Sequence, residues 1–417
     1  MLIEMEEGEM NVAENRRADG TSRWTRNVTL LNGLTATRNL LFILPVFTLH
    51  FADTVGLAFS DVIASQAAFA ATMVVCEVPS GWLSDRWRRV AVLRIGSVLW
   101  LAAAPLFWLA SDLATLVLAE VVMAVAASLV SGTDSAFLHD SLEAEGQTHR
   151  FLAEESRRHG IAMASVGIST GIGGALYALA PNLVFLFQAI AFAVAAGCSV
   201  LLVEPPKHFK EAERRHPRAL LRVLHAEFRT KPDLVRVIIF AGFLSAATLA
   251  GNWLQQAYLV ALTVPPTLLG PIVAAGFLIG AGVTQTAPAL EARYGWRALL
   301  GFLVLGMTVV CVTVGLLDGP AGIPLAGVPL TVATAIVWGL SGPVLRDLVN
   351  QRANPSHRAT MMSVLGLAPR LVFVPLGFCL GFVVDVSDAA TAYVWLGAFV
   401  LLAGGGTWFA LAQRDPD

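Results

Sequence analysis

Runs of about 20 apolar residues recur along this chain and limit its possible folds more than any other feature. A helix needs about 20 residues to cross the ~30 Å hydrocarbon core of a bilayer. Of the 417 residues, 56% are hydrophobic and only 14% are charged, which is more apolar surface than a water-soluble core of this size can bury. The runs therefore predict membrane-spanning helices, because lipid cannot satisfy the hydrogen bonds of an open strand edge.

The number of runs predicts an all-α membrane protein with twelve transmembrane helices. Strands of a membrane barrel would instead appear as segments of about 10 residues with alternating polarity. The predicted spans cover residues 30–51, 60–83, 90–110, 113–137, 158–180, 182–203, 233–262, 267–290, 297–317, 324–346, 360–385 and 389–412.

The positions of Lys and Arg predict how these spans are oriented. With the N terminus in the cytoplasm, all 28 basic residues fall in inner loops, inner tails or helix bodies. Residues 1–29 show no removable signal peptide. We therefore expect both tails, 1–29 and 413–417, in the cytoplasm. The outer turns then carry acids or no charge, as the positive-inside rule requires, around Asp53, Asp112, Pro181, Pro265, Asp318 and Asp385.

Residues 204–232 form the longest polar interruption and divide the spans into two groups of six. This segment holds eight basic residues against four acids. We predict that it is a cytoplasmic linker between a six-helix bundle at 30–203 and a second at 233–412. Its portion 219–228 has helical spacing that suits a membrane surface. Nucleic-acid binding would need clustered bases with aromatic residues and has little support.

The two groups of six also resemble each other in sequence. The stretch LSDRWRRVAVL from Leu83 corresponds to LEARYGWRALL from Leu290, 207 positions later. The stretches that begin at Ser131 and Ser341 close the fourth span of each group, 210 positions apart. Such repetition predicts two pseudo-symmetric bundles that can rock against each other around a central cavity.

The turn after the second span carries a family resemblance. It resembles the signature Gly-x-Leu-x-Asp-Arg-x-Gly-Arg-Arg of the major facilitator superfamily, although Arg88 stands where the family usually has glycine. The stretches EVPSG (77–81), SGTDSAFLHDSL (131–142) and RAT (358–360) are similar to bacterial members of its drug-exporter-like branch. The resemblance covers about 27–412 and implies a multi-pass protein of the bacterial cytoplasmic membrane. The matching residues are Gly81, Leu83, Asp85, Arg86 and Arg89.

In the resembling family this turn is a cytoplasmic latch that favours the outward-facing state. Gly81 would permit close packing of two spans, and Asp85 with Arg86 and Arg89 would bond to the opposite bundle when the inner side closes. The alternative is that these arginines only anchor the topology. Arg88 in place of glycine predicts a latch that is weaker or differently shaped.

Charged residues inside the spans are the candidates for solute handling and coupling, because burial in lipid makes each of them costly. Arg38 and Asp134 lie at similar inner depth on the first and fourth spans, and we expect them to pair. Arg370 lies about ten residues into the eleventh span. The alternative for each is an inner-end side chain that extends to the headgroups.

Glu120 is the candidate for coupling, because a buried carboxyl in the outer half of the fourth span can bind and release a proton. On a continuous helix it would lie within about 40° of Asp134 but ~21 Å from it. The alternative is that Glu120 lies near the outer surface.

The seventh span carries a polar stripe that suits a bulky, partly apolar solute. Asn252, Gln255 and Gln256 follow i, i+3, i+4 spacing. Trp253 lies beside them and Trp338 lies in the tenth span, so amides and aromatic rings would meet in one cavity, although packing explains any single Trp equally well.

Glycines in the fifth span (Gly167, Gly171, Gly173 and Gly174) predict close helix contact. They partly resemble the exporter branch's glycine motif, but its proline is absent, so export by antiport is favoured only mildly. We interpret Gly276 and Gly280 as packing residues.

The sequence does not indicate an enzyme. Its four cysteines fall inside apolar spans, and it shows no metal-ligand cluster and no phosphate-binding loop. We expect no cofactor. The predicted function is proton-linked secondary transport of a small amphipathic solute, more in keeping with export than import. Uptake of a polar metabolite by an importer or uniporter, and a non-transporting membrane sensor or assembly factor, remain alternatives.

Overall fold

The computed structural model describes residues 23–205, 227–318, 322, 324–354 and 357–413. In this part of the chain nearly all residues are helical and no strand occurs. Eleven of the described helices are long and apolar enough to cross a membrane. The first predicted span is also helical but is interrupted, so the all-α fold with twelve spans predicted from the sequence is confirmed.

Most of the spans are single helices whose ends follow from local sequence. The seventh and eighth begin with Pro232 and Pro266. Proline has no backbone N–H, and an N–H in the first turn of a helix would have no partner within the helix. The continuous spans are the second (Phe59–Arg86), third (Arg89–Leu109), fifth (Phe151–Leu179), sixth (Asn182–Leu201), seventh (Pro232–Ala261), eighth (Pro266–Thr284) and eleventh (Arg358–Val386).

Asp residues in the outer turns begin two further spans as N-caps. The Asp112 carboxylate accepts a hydrogen bond from the Thr115 backbone N–H at 2.8 Å, and Asp388 accepts one from Thr391 at 2.6 Å. The bond from Thr115 lowers the pKa of Asp112, because it stabilises the charged carboxylate. The acids of the outer turns thus have local structural roles as well as the topological one expected from their charge.

The first span is broken, and its bounds differ from the predicted 30–51. A helix runs over Arg23–Arg38, residues 39–43 are irregular, and short helical turns follow at Leu44–Val46, Phe47–Leu49 and His50–Thr54. Arg38 is therefore the last residue of a helix, whereas the sequence placed it seven residues inside a span. The described helix includes residues 23–29, so it extends before the predicted start at residue 30 and shortens the predicted tail.

Side chains of the fifth and sixth spans take over the hydrogen bonds that the break leaves open. Ser169 accepts a bond from the Leu41 N–H at 2.8 Å. Gln188 accepts from the Phe42 N–H at 3.0 Å and donates to the Leu40 carbonyl oxygen at 2.8 Å. Because these groups are satisfied inside the protein, an irregular backbone is tolerated at membrane depth.

The fourth span is also broken, into Leu113–Val130 and Thr133–Glu143. Gly132 joins the two helices with φ of 75°, a left-handed conformation that favours glycine. The angle predicted between Glu120 and Asp134 assumed one continuous helix, and the break at Gly132 contradicts that assumption. Asp134 instead lies in the first turn of the second helix, where its Oδ1 accepts a bond from the Ser135 N–H at 2.7 Å.

The remaining spans contain shorter irregularities. The ninth is bent at Gly295, which has φ of 76°, and Gly295 corresponds to Arg88 in the 207-residue repeat. Arg88 has φ of −65°, so the first turn does not require the glycine that the family signature has. The ninth span is Ala287–Asp318, the tenth is Pro324–Gly327 with Val328–Val332 and Thr334–Arg352, and the twelfth is Ala389–Phe399, Val400–Gly404 and Gly405–Ala412.

The two halves of the chain pack mainly within themselves, and several helix pairs join them, including contacts of the first span with the seventh and eighth. In the first half, the third span packs on the fourth and sixth; in the second half, the seventh packs on the tenth and eleventh. The second span packs on the eleventh, and the fifth on the eighth, across the halves. We name the end that carries Arg86 and Arg89 the inner end and the end where Phe59 begins the second span the outer end.

Parts of the predicted domain division lie outside the described residues. These are residues 1–22 of the N-terminal tail, residues 206–226 of the linker, with most of its proposed surface helix, and residues 414–417. The described end of the linker region includes Glu227, whose carboxylate lies 2.8 Å from His357 Nδ1 and 3.7 Å from Lys231 Nζ.

Candidate solute cavity

A cavity of about 940 Å³ lies between the two halves of the chain. Its lining reaches from Asn252 and Gln255, in the outer third of the seventh span, to Arg346 near the inner end of the tenth. From the first half it is lined by Glu77, Ser131 and Glu155. A space of this size can hold a small organic molecule.

The outer end is closed by direct contact of the halves. The Asp385 carboxylate, at the end of the eleventh span, accepts bonds from the N–H groups of Phe59 and Ser60 at 3.0 and 3.1 Å. It therefore caps the second span from the opposite half. A Cβ at Gly381 would lie 2.9 Å from the Ser60 Cα, and one at Gly174 would overlap the carbonyl oxygen of Pro266.

The glycines therefore behave as the sequence predicted only in part. Gly173 and Gly174 lie against backbone atoms, but nothing lies within 4 Å of a Cβ at Gly167, and at Gly171 the nearest atom is 3.8 Å away. In the eighth span, a Cβ at Gly280 would lie 3.2 Å from the Ala335 carbonyl oxygen, which agrees with a packing role.

The inner end holds the predicted latch, and its described contacts stay inside the first half. Arg89 Nη1 lies 2.8 Å from Asp140 Oδ2. Glu204, three residues after the sixth span, accepts bonds from the N–H groups of Arg89 and Val90, both at 2.9 Å. These contacts fix the start of the third span without joining the two halves.

The remaining latch residues add to this picture. The expected close packing at Gly81 does not occur, because nothing lies within 4 Å of a Cβ there. Leu83 is partly buried and Arg86 is exposed. The Asp85 side chain lies outside the described part of the structure, so its role in the latch remains a prediction.

A buried group of charges lies beside the cavity in the first half. Asp134 Oδ2 accepts a bond from Arg38 at 2.7 Å and another from Arg158. Arg158 also donates to Glu155, at 2.6 and 3.1 Å. The Arg38 and Asp134 side chains are only 17% and 6% exposed, and the structure contains the pair expected from their depths. The two arginines and the two acids of this group balance in charge. Of the four side chains, only Glu155 lines the cavity.

Glu120 lies away from the cavity, between the second and fourth spans. It is 4% exposed and accepts a hydrogen bond from the Gln66 amide. It lies seven residues into its helix, about 10 Å from the outer end. The alternative position near the outer surface is therefore wrong, while the coupling role stays a prediction.

The polar stripe of the seventh span divides between the cavity and the outer closure. Asn252 and Gln255 line the cavity, and Gln255 donates to Thr331 at 2.9 Å. Gln256 instead accepts bonds from the N–H and hydroxyl of Thr48, at 3.3 and 3.1 Å, and so joins the halves. Trp253 packs on Phe47 in this closure, with ring centroids 5.6 Å apart.

Trp338 and Arg370 line the cavity from the second half, as the sequence suggested. The sequence analysis did not select Glu77, Glu155 or Arg346, which line it as well. Glu77 lies in the inner half of the second span and Arg346 lies inside the predicted tenth span, so the rule used to select Arg38 and Glu120 also applied to both.

A cluster of His139, Asp140 and Glu143 at the inner end was likewise not foreseen. Of its three members, Asp140 pairs with Arg89 and so has a structural role within the first half.

A cavity that lies between two helical halves and is closed at one end is the arrangement that transporters with alternating access have. The sequence profile of the Major Facilitator Superfamily matches residues 29–375, and the chain belongs to this family. It is accordingly a transporter and not an enzyme. No curated protein matches the sequence.

Solved structures of transporters share the fold at low sequence identity. The nucleoside transporter NupG is 14% identical with a TM-score of 0.71, over 95% of this chain and 100% of NupG. A bacterial homologue of the human lysosomal transporter Spinster, inward-facing and occupied, is 15% identical with a TM-score of 0.73, over 93% and 96%. A D-xylose–proton symporter is 14% identical with a TM-score of 0.69, over 92% and 97%.

Proposed function

We propose that this protein is a proton-coupled secondary transporter that exports a small amphipathic solute from the bacterial cytoplasm. The observation that carries the proposal is the cavity between the halves, closed at the outer end by Asp385, Gly174 and Gln256 and lined down to the inner end. Rocking of the halves would move a bound solute from one side to the other.

The amphipathic character of the solute follows from the cavity wall. Asn252 and Gln255 offer amide groups, while Trp338 and Phe277 offer aromatic surface. Such a wall suits a solute with polar groups at one end and an apolar body. A neighbour of the same fold is a D-xylose–proton symporter, so proton coupling occurs in this fold. Export would require the opposite mode of coupling, antiport.

The experiment is solute flux in proteoliposomes with an imposed pH gradient. The solute is first selected by thermal stabilisation of the purified protein. Proton-coupled export predicts accumulation on the acidic side and a pH change inside the vesicles when solute is added. Movement of solute and protons in the same direction would favour an importer, and binding without flux would favour a sensor.

Glu120 is our proposed coupling residue, because it is a deeply buried carboxyl with an amide as its partner. Glu120→Gln should abolish gradient-driven accumulation but retain solute exchange, which needs no net proton movement. The control Glu143→Gln changes an exposed acid and should leave both unchanged. An unaltered pH dependence in Glu120→Gln would remove Glu120 from this role.

The proposed orientation places residue 214 in the cytoplasm and residue 53 outside. Membrane-impermeant thiol reagents should label Asp53→Cys in intact cells but not Arg214→Cys, measured above the background of the four native cysteines. Labelling of Arg214→Cys from outside would overturn the orientation, and with it the direction of transport.

A further inference from the structure

The cavity wall carries charges of opposite sign on the two halves of the protein. Glu77 and Glu155 come from the second and fifth spans of the first half. Arg346 and Arg370 come from the tenth and eleventh spans of the second half. Charges inside a membrane protein are costly unless they have a partner or a function, so each of the four needs an explanation.

Two of these charges are explained by their surroundings. Glu155 is held by Arg158 through two hydrogen bonds, at 2.6 and 3.1 Å. Arg346 is exposed and lies six residues before the inner end of its helix, within about 9 Å of the surface. Glu77 and Arg370 are left as the charges deeper in the cavity without such an explanation.

Glu77 is a carboxylate with unused hydrogen-bonding capacity. It lies nine residues before the inner end of the second span, a distance of about 14 Å. The side chain is partly buried, and its Oε2 atom is buried without a hydrogen-bond partner among the described residues. A buried acceptor of this kind costs free energy until a donor reaches it.

Arg370 has unused donors at a similar depth on the other wall. It lies twelve residues, or about 18 Å, into the eleventh span from the inner end. Its Nη1 donates to the Gly366 carbonyl oxygen at 2.9 Å. A guanidinium has five N–H donors, so it retains donors for an anion. Glu77 and Arg370 line the same cavity, and no ion pair joins them among the described residues.

We propose that this cavity binds a zwitterionic solute, with its anionic group at Arg370, its cationic group at Glu77 and its apolar part against Trp338 and Phe277. The inference rests on the proposed transport function and names its substrate class. When the halves close around a solute, water leaves the cavity. A neutral solute between the two side chains would leave both without a charged partner at hydrogen-bonding distance, and a solute with one charge would leave one of them so, at a high cost in low dielectric.

The test compares small molecules that differ only in charge. The probes are phenylalanine, its amide with a cation only, and N-acetylphenylalanine with an anion only, together with the same three forms of the dipeptide leucylalanine. Thermal stabilisation of the purified full-length protein, without any gradient, gives the apparent affinity. In at least one set, the zwitterion should bind at least about tenfold more tightly than either single-charge form. Each single-charge form lacks one of the two charged hydrogen bonds that the zwitterion makes.

Substitutions in the cavity should change which charged form of a probe binds most tightly. A purely structural role of Glu77 and Arg370 would leave this preference unaltered. Glu77→Gln should shift the preference to the anionic N-acetyl form, and Arg370→Gln should shift it to the cationic amide. Glu143→Gln and Arg293→Gln change exposed residues outside the cavity and should keep the preference for the zwitterion. If one variant fails to fold, the other still reports on its own half of the pair.

Several results would overturn the inference. One is equal or tighter binding of a single-charge form to the native protein, another is the lack of binding by both zwitterions, and a third is an unchanged preference in both cavity variants. These results are separable from failure of the transport proposal. Flux of a singly charged solute would support transport and contradict a zwitterionic substrate. Binding of a zwitterion without flux would support the substrate class and contradict transport.

Discussion

The outer and inner ends of the molecule are held together in different ways. At the outer end the halves touch through glycine backbones at Gly174 and Gly381, and through bonds in which Asp385 and Gln256 meet backbone N–H groups of the opposite half. At the inner end the described ionic contacts, such as Arg89 with Asp140, join elements of one half.

The contacts that stabilise the fold of one half are therefore different from the contacts that hold the two halves together at the outer end. Charged contacts within the first half persist when the cavity opens or closes, because their partners move together. The outer contacts must break if the outer end is to open. Substitutions at the inner charges should therefore affect folding, whereas substitutions at the outer contacts should affect the conformational equilibrium.

The largest expected effect is that of Asp134→Asn. Asp134 accepts hydrogen bonds from Arg38 and Arg158, and the substitution leaves these two buried guanidinium groups without their shared carboxylate. Removing one partner of a buried ion pair costs about 3–5 kcal/mol. The midpoint of thermal unfolding in detergent should fall accordingly.

The matched control is Asp347→Asn, which changes an exposed acid on the tenth span that bonds to Gln351. This variant should stay within about 0.5 kcal/mol of the native protein. Equal stability of the two variants would contradict a structural role for the buried charge group.

The next effect in size concerns Gly174→Ala at the outer end. The new methyl group would overlap the Pro266 carbonyl oxygen of the eighth span, so the fifth and eighth spans must separate. Overpacking of this kind costs about 1–3 kcal/mol, and it applies to the closed state. Spin labels at Leu179 and Leu268, both exposed at the outer end, should report a longer distance.

Gly167→Ala is the control, because it adds the same methyl group to the same helix where nothing lies within 4 Å. Its distance distribution should match that of the native protein. If Gly174→Ala also matched it, the close glycine contact would not determine the closure of the outer end.

The fold was predictable because it depends on the lengths of apolar runs, and these are visible in the sequence. The breaks at residues 39–43 and at Gly132 were not visible. In the first span, hydrogen bonds from Ser169 and Gln188 stabilise an irregular backbone. Those partners lie about 130 and 150 residues away, and local sequence patterns carry no information on them.

For the candidate site, the sequence predicted how deep each residue lies along its span but not which way its side chain points. Arg38 and Asp134 were expected to pair because they lie at similar inner depth, and they do. Gln255 and Gln256 are adjacent and therefore point in different directions from the helix, one to the cavity and one to Thr48. The faces of a helix can be counted from sequence, but which face meets the cavity depends on how the halves pack.

A smaller effect on the closure is expected for Asp385→Ala. The substitution removes the acceptor of two N–H groups at the start of the second span. Loss of a helix cap costs about 0.5–2 kcal/mol, and Asp385 is exposed, which favours the lower part of that range. The fraction of molecules that are open at the outer end should rise, measured as reactivity of Ser60→Cys with an impermeant thiol reagent.

The control Asp61→Ala removes a cap bond to Ala58 on the same helix, within one half. It should weaken the helix terminus without increasing outer opening. A similar increase in labelling for both variants would mean that fraying of the second span, and not separation of the halves, exposes residue 60.

The smallest effect on the state described here is expected for Asp85→Asn in the proposed latch. If Asp85 bonds to the opposite half only when the inner ends meet, its loss should leave the unfolding midpoint within about 0.5 kcal/mol of the native value. It should still slow solute flux, because the inner-closed state becomes less populated. Arg89→Gln differs, since it removes the ion pair with Asp140 and should lower both stability and flux. Unchanged flux in Asp85→Asn would show that the turn only anchors topology, and the two ends would then differ in architecture without alternating in function.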